Sequence, residues 1–193
     1  MKYTMPVVIF AGGKSSRMGQ DKALLPFGDT PSLAQYQYER LKNCFASCYI
    51  STKHPKFDFD AMLISDRYKE SSPLVGLVSA FETLSTDHLF VLSVDAPLIE
   101  KSIITSIMHC HTEHDGAYDA VIASNFGKVQ PLCGIYSRTI LPLAQHERQK
   151  GYHKMTALLQ QAHTLYVPFE EEQAFINLNH PDEYREALRL ISS

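Results

Sequence analysis

The residues best suited to chemistry lie close together near the start of the chain. Ala11-Gly12-Gly13-Lys14-Ser15-Ser16-Arg17-Met18-Gly19-Gln20-Asp21-Lys22 combines turn-forming glycines with the cations Lys14, Arg17 and Lys22. Glycine lets a backbone approach a ligand closely and aim its N–H groups at it, and the cations add positive charge; together they suit a triphosphate. Familiar phosphate and nucleophile templates do not fit. A P-loop ending in Gly13-Lys14-Ser15 needs glycine at position 8, where Val8 stands, and Gly12, Gly13 and Gly19 have the wrong spacing for a dinucleotide fingerprint. A nucleophile elbow on Ser15 needs glycine where Arg17 stands. The plainer reading is a polar loop whose glycines only make turns.

Two carboxylates end apolar runs. Asp95 follows Leu89-Phe90-Val91-Leu92-Ser93-Val94 and precedes Ala96-Pro97, which stops a strand and turns the carboxylate to the sheet rim. An isolated carboxylate there is costly to desolvate and calls for a cation; magnesium, held by one or two carboxylates with phosphate oxygens and water, matches. The alternative is an Asp capping the next helix. Asp66, after Met62-Leu63-Ile64, has the same two readings. His109-Cys110-His111-Thr112-Glu113-His114 looks like a ligand cluster but fits no standard zinc spacing. At the end of an apolar-striped helix, such histidines meet the helix C-terminal dipole favourably.

The elements that must position these groups alternate. Pro6 to Phe10 is a continuous apolar run stopping at Ala11-Gly12-Gly13, the pattern of a strand buried on both faces of a parallel sheet. Pro31-Ser32 starts a helix whose apolar side carries Leu33, Tyr36, Leu41 and Phe45, and strands follow at Cys48 to Ser51 and Met62 to Ile64. Leu74 to Leu84 is a strongly apolar helix, Leu89 to Val94 a central strand, and Ile103 to Met108 another helix. Ala120 to Ala123 and Leu132 to Tyr136 read as strands, with Asn125-Phe126-Gly127-Lys128 as a possible hairpin turn. Helices at Thr139 to Gln149 and Met155 to Ala162, a strand at Leu165 to Val167 and a helix from about Asp182 complete the pattern, with Glu170-Glu171-Glu172 a solvated loop. Asn179-His180-Pro181-Asp182-Glu183 has the cap, proline and acidic first turn of a helix start. With no repeat or long linker, the expectation is one α/β/α layered domain over residues 1–193 with a mostly parallel sheet.

Composition narrows the function. With 193 residues, 45% hydrophobic and 20% charged, the chain can bury a core without disulfides or zinc. A net charge of -3 supplies no basic field for a nucleic-acid backbone, so its polyanionic partners are expected to be small. Apolar runs are strand-length, far short of the roughly 18 residues of a membrane span, and the N-terminus lacks the pattern of a signal peptide. A cytoplasmic protein without membrane partners is expected, with Cys44, Cys48, Cys110 and Cys133 as reduced thiols.

Phe10 to Leu25 resembles the signature loop of the sugar-phosphate and cofactor nucleotidyltransferases. The continuation Asp21-Lys22-Ala23-Leu24-Leu25 is most similar to the molybdenum cofactor guanylyltransferases, the MobA-type enzymes. Ser72-Pro73-Leu74-Val75-Gly76, Val94-Asp95-Ala96-Pro97 and Phe175-Ile176-Asn177-Leu178-Asn179-His180-Pro181-Asp182-Glu183 agree in order and spacing. The resemblance implies a Rossmann-like fold of the nucleotide-diphospho-sugar transferase kind. It also implies transfer of GMP from magnesium GTP to the terminal phosphate of molybdopterin. Phe10, Ala11 and Gly12 become backbone contacts to GTP, Gly13, Lys14 and Ser15 part of the phosphate cradle, Lys22 a phosphate ligand and Asp95 the ligand of Mg2+ and nucleotide. Arg17 joins Lys22 in stabilising charge at the α-phosphate. Ser51, where the family often has Asn, and Asp66 become nucleotide contacts, Asp66 reading the guanine N1–H and amine. Asn179, with Asn177, orients the acceptor or a metal-bound water, or Asn179 is simply a helix N-cap. Gln130-Pro131 replaces the family's common His-Pro, and Phe10 its commoner Leu. Proteins that deliver the cofactor and molybdoenzymes that receive it are the implied transient partners. A cytidylyltransferase acting on molybdopterin or a polyol phosphate shares the first loop; a nucleotide-binding adaptor is the non-enzymatic alternative.

Overall fold

The computed structural model describes residues 2–12, 21–114 and 116–192. Its strands are β1 (Val7–Phe10), β2 (Cys48–Thr52), β3 (Met62–Ser65), β4 (His88–Ser93), β5 (Ala120–Asn125), β6 (Lys128–Ser137) and β7 (Thr164–Phe169). Its helices are α1 (Leu33–Lys42), α2 (Pro73–Thr83), α3 (Lys101–Glu113), α4 (Leu141–Gln149), α5 (Met155–Gln161) and α6 (Pro181–Ile191). All strands join one sheet in the order β3-β2-β1-β4-β6-β5-β7, parallel except for β6, which runs against both neighbours.

Alternation along the buried strands divides the core in two. Val7 and Ile9 of β1 face a cluster shared with Leu33 and Leu41 of α1, Ile103 and Ile107 of α3 and Ala187 of α6. Val8 and Phe10 face Leu74, Leu77 and Phe81 of α2 and Leu158 and Leu159 of α5. Helices therefore cover both faces, as a parallel sheet requires, and the α/β/α expectation holds. Ser32 caps α1 and Ser72 caps α2, each hydroxyl accepting from the N–H three residues on.

Two elements differ from the sequence expectation, and the second shapes the site. α1 ends at Lys42, so Phe45 is buried outside the helix, against Tyr3 and Phe90. β6 starts at Lys128 rather than Leu132 and contains Pro131. A proline inside a central strand would remove a ladder donor. Here β4 pairs with β6 only as far as Leu92 and Cys133, so Pro131 lies where β6 has already parted from β4. The parting opens the sheet next to the ends of β1 and β4. Chain order also reverses between these strands, because β2 and β3 lie to one side of β1 and β4 to the other. Open α/β sheets bind ligands at such a switch point. No helix among the described residues is long and apolar enough to cross a membrane.

Candidate active site

A cavity of about 340 Å³ opens at the ends of β1, β2 and β3, with Phe10, Gly12, Ser51, Asp66, Ser72 and Gly76 in its lining. A second, of about 230 Å³, lies where β6 leaves β4 and is lined by Asp95, Gln130, Pro131, Cys133, Asn177 and Asn179, among others. Ser93 and Leu132 line both, so the cavities adjoin.

The first cavity is shaped by the packing of α2 on the sheet. A Cβ on Gly76 would come within 3.1 Å of Ser51 Oγ and 3.3 Å of the Phe10 ring. Glycine thus lets the helix approach the strand ends. Asp66 follows β3, where its N–H donates to the Thr52 carbonyl at 3.3 Å. Burial raises its carboxyl pKa, opposed by the charge of Lys53, a hydrogen bond from Ser51 and the charge of His54. A half-buried carboxylate, with no other charged side chain among the described lining residues, is a strong acceptor for a ligand with paired N–H donors.

At the rim of the second cavity, Lys22 Nζ meets Asp95 Oδ2 at 2.7 Å and donates to Asn179 Oδ1 at 3.1 Å. Ser93 Oγ donates to Asp95 Oδ1 at 2.5 Å. The Lys22 and Asp95 side chains are only 17% and 20% exposed, so water screens the pair incompletely. Asn179 is not the helix cap. His180 precedes α6, and Glu183 accepts from the N–H groups of Asn179 and His180, leaving the Asn179 side chain to reach Lys22.

The segment bearing Asp95 is anchored from below by two residues of α1. Gln37 Nε2 donates to the carbonyls of Ser93 at 3.2 Å and Val94 at 3.4 Å, and Arg40 binds the Ile99 carbonyl and Gln37 Oε1. Burial lowers the Arg40 pKa. Burial also lifts the Cys133 thiol to about 12, which keeps it protonated at the cavity wall. Motif reading missed these anchors, although Gln37 carries a signal: it is a polar residue within the stripe Leu33, Ala34, Tyr38, Leu41. Lys56 had none. Its Nζ donates to the Ala11 carbonyl at 3.0 Å and pairs with Asp21, joining the two ends of the glycine loop.

Of the residues singled out from sequence, Phe10, Gly12, Ser51 and Asp66 line the first cavity, and Asp95, Asn177 and Asn179 the second, with Lys22 bonded to two of these. Ala11 is buried, its N–H donated to the Ser51 carbonyl. Gly13, Lys14, Ser15 and Arg17 lie outside the described residues. The histidine cluster stays on the last turns of α3, where His109 meets Glu113 at 3.3 Å and His111 packs on His88.

The family described as MobA-like NTP transferase domain matches residues 7–166. A molybdenum cofactor guanylyltransferase of Campylobacter jejuni is 34% identical over 179 residues, covering 92% of each chain. Molybdopterin-guanine dinucleotide biosynthesis protein A of Archaeoglobus fulgidus superposes with a TM-score of 0.83 at 20% identity, over 97% of this chain and 99% of that one. The 2-C-methyl-D-erythritol 4-phosphate cytidylyltransferase of Thermus thermophilus superposes with a TM-score of 0.69 at 16% identity, over 100% of both. At such identities the likeness speaks to the fold alone. Since a cytidylyltransferase shares that fold, architecture by itself does not choose the base.

Proposed function

The chain belongs to the MobA-like NTP transferase family, and we propose that it transfers GMP from GTP to the terminal phosphate of molybdopterin, forming the guanine dinucleotide cofactor and releasing pyrophosphate. The observation carrying this reading is the Lys22, Asp95 and Asn179 knot beside two adjoining cavities. Nucleotidyl transfer needs a base site and an acceptor site with the α-phosphate between them, and cation and carboxylate together at that junction.

Guanine is assigned to the first cavity, where the Asp66 carboxylate can accept from both N1–H and the exocyclic amine; cytosine offers a single such donor. Molybdopterin is assigned to the second, with Asn177 and Asn179 orienting its phosphate. An acceptor oxygen attacks the α-phosphorus, the bond to the bridging oxygen of the β-phosphate breaks, and pyrophosphate leaves with the electron pair. The acceptor phosphate is anionic at neutral pH, so no general base is required. Positioning and charge neutralisation supply most of the rate. Lys22 exchanges Asp95 for phosphate oxygens when the triphosphate enters, Arg17 supports the same charge, and Gly13, Lys14 and Ser15 complete the phosphate cradle.

Asp95 suits a magnesium ion that arrives with the triphosphate. No group of three or more His, Cys, Asp or Glu able to hold a metal occurs among the described residues, and magnesium commonly takes one or two carboxylates, completing its shell with phosphate and water. Bound there, it would neutralise charge on the transferring and departing phosphates. The need for GTP favours a cytoplasmic site of action. Proteins that deliver the cofactor and receive the product are the expected transient partners.

Thermal shift with magnesium and each nucleotide, followed by pyrophosphate release on adding molybdopterin, tests the assignment. GTP at 100 times its Kd adds about 2.7 kcal/mol of stability. Stabilisation by CTP alone overturns the guanylyl reading. Stabilisation by GTP without acceptor-dependent pyrophosphate release favours an adaptor.

A further inference from the structure

The loop joining β3 to α2 supplies Asp66, Ser71 and Ser72 to the first cavity, yet the sheet gives it little support. β3 is a four-residue edge strand in which only Ile64 is buried. Near Asp66 the loop backbone is held by the Thr52 carbonyl, by Ser79 Oγ of α2, which accepts from the Arg67 N–H at 3.0 Å, and by Lys53, which donates to the Lys69 carbonyl at 2.7 Å. Further along it is fastened from the corner between α4 and α5. Arg148, at the end of α4, lies with its guanidinium carbon 3.6 Å from the centroid of the Tyr68 ring and Nη1 3.4 Å from Glu70. The Tyr68 hydroxyl donates to Glu82 of α2 at 2.8 Å, and Glu82 also accepts from Gln145 of α4 at 2.9 Å. His153, between α4 and α5, places Nδ1 3.1 Å from Ser72 Oγ, the hydroxyl that caps α2 by accepting from Val75 N–H. Neither Arg148 nor His153 is among the described residues lining the cavity.

A cavity wall on an edge loop holds a fixed shape only if side chains from elsewhere restrain it, since each free residue has many conformations to lose. Here the restraints act on Tyr68, Glu70 and Ser72, between Asp66 at one end of the cavity wall and Ser71 and Ser72 at the other. Arg148 Nε is buried without a hydrogen-bond partner, a cost that an apolar residue packed on Tyr68 would avoid. The planar stack and the carboxylate contact are what arginine adds at that position.

We infer that Arg148 and His153 are positioning residues for base selection, holding the loop so that Asp66 and Ser72 present a fixed edge to the nucleotide. The inference rests on the assignment of guanine to the first cavity. It makes the α4–α5 corner part of the specificity apparatus, although it touches no substrate. A loosened loop still admits a triphosphate, because the phosphates are held elsewhere, but it no longer distinguishes one base edge from another.

Inosine triphosphate, which keeps N1–H and lacks the exocyclic amine, isolates that distinction. Calorimetric binding of magnesium GTP and magnesium ITP is compared across variants, with melting curves as the check on folding. Asp66→Asn reports on the base assignment itself and is expected to lower the GTP-over-ITP ratio about tenfold or more. His153→Ala and Arg148→Met are each expected to lower it about fivefold, the worth of one hydrogen bond, with kcat at saturating GTP within about twofold of the parent. His153→Asn, which keeps a partner for Ser72 Oγ, restores the ratio. If Arg148→Met does not fold, Tyr68→Leu removes the same stack from the loop side and carries the same expectation. A ratio lowered by Asp66→Asn but unchanged in the corner variants overturns the inference and leaves the base assignment standing. A ratio unchanged in Asp66→Asn removes the base assignment, and the inference with it. A fall in kcat at constant ratio also overturns it.

Discussion

The two adjoining cavities are built by different means. The first is bounded mostly by residues between Phe10 and Gly76, at the ends of three adjacent parallel strands and on the helix that crosses them, with Ser93 and Leu132 where it meets the second. Its floor is rigid because the sheet ladder and the glycine-permitted approach of α2 define it. The second gathers Asp95, Gln130 and Asn179 from distant segments, at the place where the sheet comes apart. Nothing in the ladder holds that space, so ion pairs and amides do: Lys22 to Asp95 and Asn179, with Gln37 and Arg40 beneath. The floor of the first takes its precision from backbone and its loop wall from side chains of α2 and the α4–α5 corner, whereas the second, at a break in the sheet, takes it from side chains. The second is accordingly more sensitive to single substitutions.

Loss of a charge at the junction makes the harshest test of that contrast. Asp95→Ala or Lys22→Ala is expected to lower acceptor-dependent pyrophosphate release on the order of a thousandfold, the scale of removing a preorganised electrostatic contact. Because the two groups pair, the double variant falls well short of the product of the singles. Activity surviving both changes breaks the assignment of the junction. Arg40→Met comes next. It strips the Ile99 carbonyl and Gln37 Oε1 of a buried donor, and urea unfolding is expected to show a loss of about 2 to 3 kcal/mol. A loss under about 0.5 kcal/mol, typical of an unimportant surface site, would show that the anchor from α1 contributes little.

Asn177→Ala probes the acceptor side alone. Steady-state kinetics should show KM for molybdopterin raised about tenfold with GTP affinity within about twofold, the size of one or two polar contacts. Equal effects on both substrates would erase the division between the cavities. The mildest effect is one of pH. Burial raises the Asp66 pKa, and only the ionised carboxylate accepts two donors, so GTP affinity is expected to fall on acidification at a pH above the ordinary aspartate range. Stability has the opposite sign. The folded state holds that proton more tightly than the unfolded chain, so protonation of Asp66 favours folding, and Asp66→Asn should keep or raise the melting temperature at neutral pH. The Asn177 variant retains the same pH response of GTP binding; its disappearance there would join what the geometry separates.

Legibility followed the same division. β1, α2 and β4 were plain in sequence because residues buried on both sides must be apolar throughout, and Asp95 stood out as the polar stop of such a run. Asp66 likewise followed from a strand end, whereas Ser51 was marked only by the family resemblance. The second cavity was harder to read. Asn179 has the sequence context of a helix cap, and only the folded chain shows His180 and Glu183 serving the helix start while Asn179 turns to Lys22. The stretch from Lys128 to Pro131 was not read as strand, because the parting of β6 from β4 is a property of the sheet and not of the strand. Lys56 carried no signal, since two ends of one loop come together on it only in three dimensions.

By itself, the sequence determined the layered α/β architecture, the strand ends at which the carboxylates stand and the family to which the glycine loop points. These depend on hydrophobic periodicity and short motifs, which are local. Tertiary structure alone decided that Lys22 pairs with Asp95 and Asn179, that Gln37 and Arg40 support the loop between Ser93 and Ile99, and that the α4–α5 corner grips the loop after Asp66. Those contacts join residues far apart in the chain, and their energies depend on burial and distance, which no local pattern encodes.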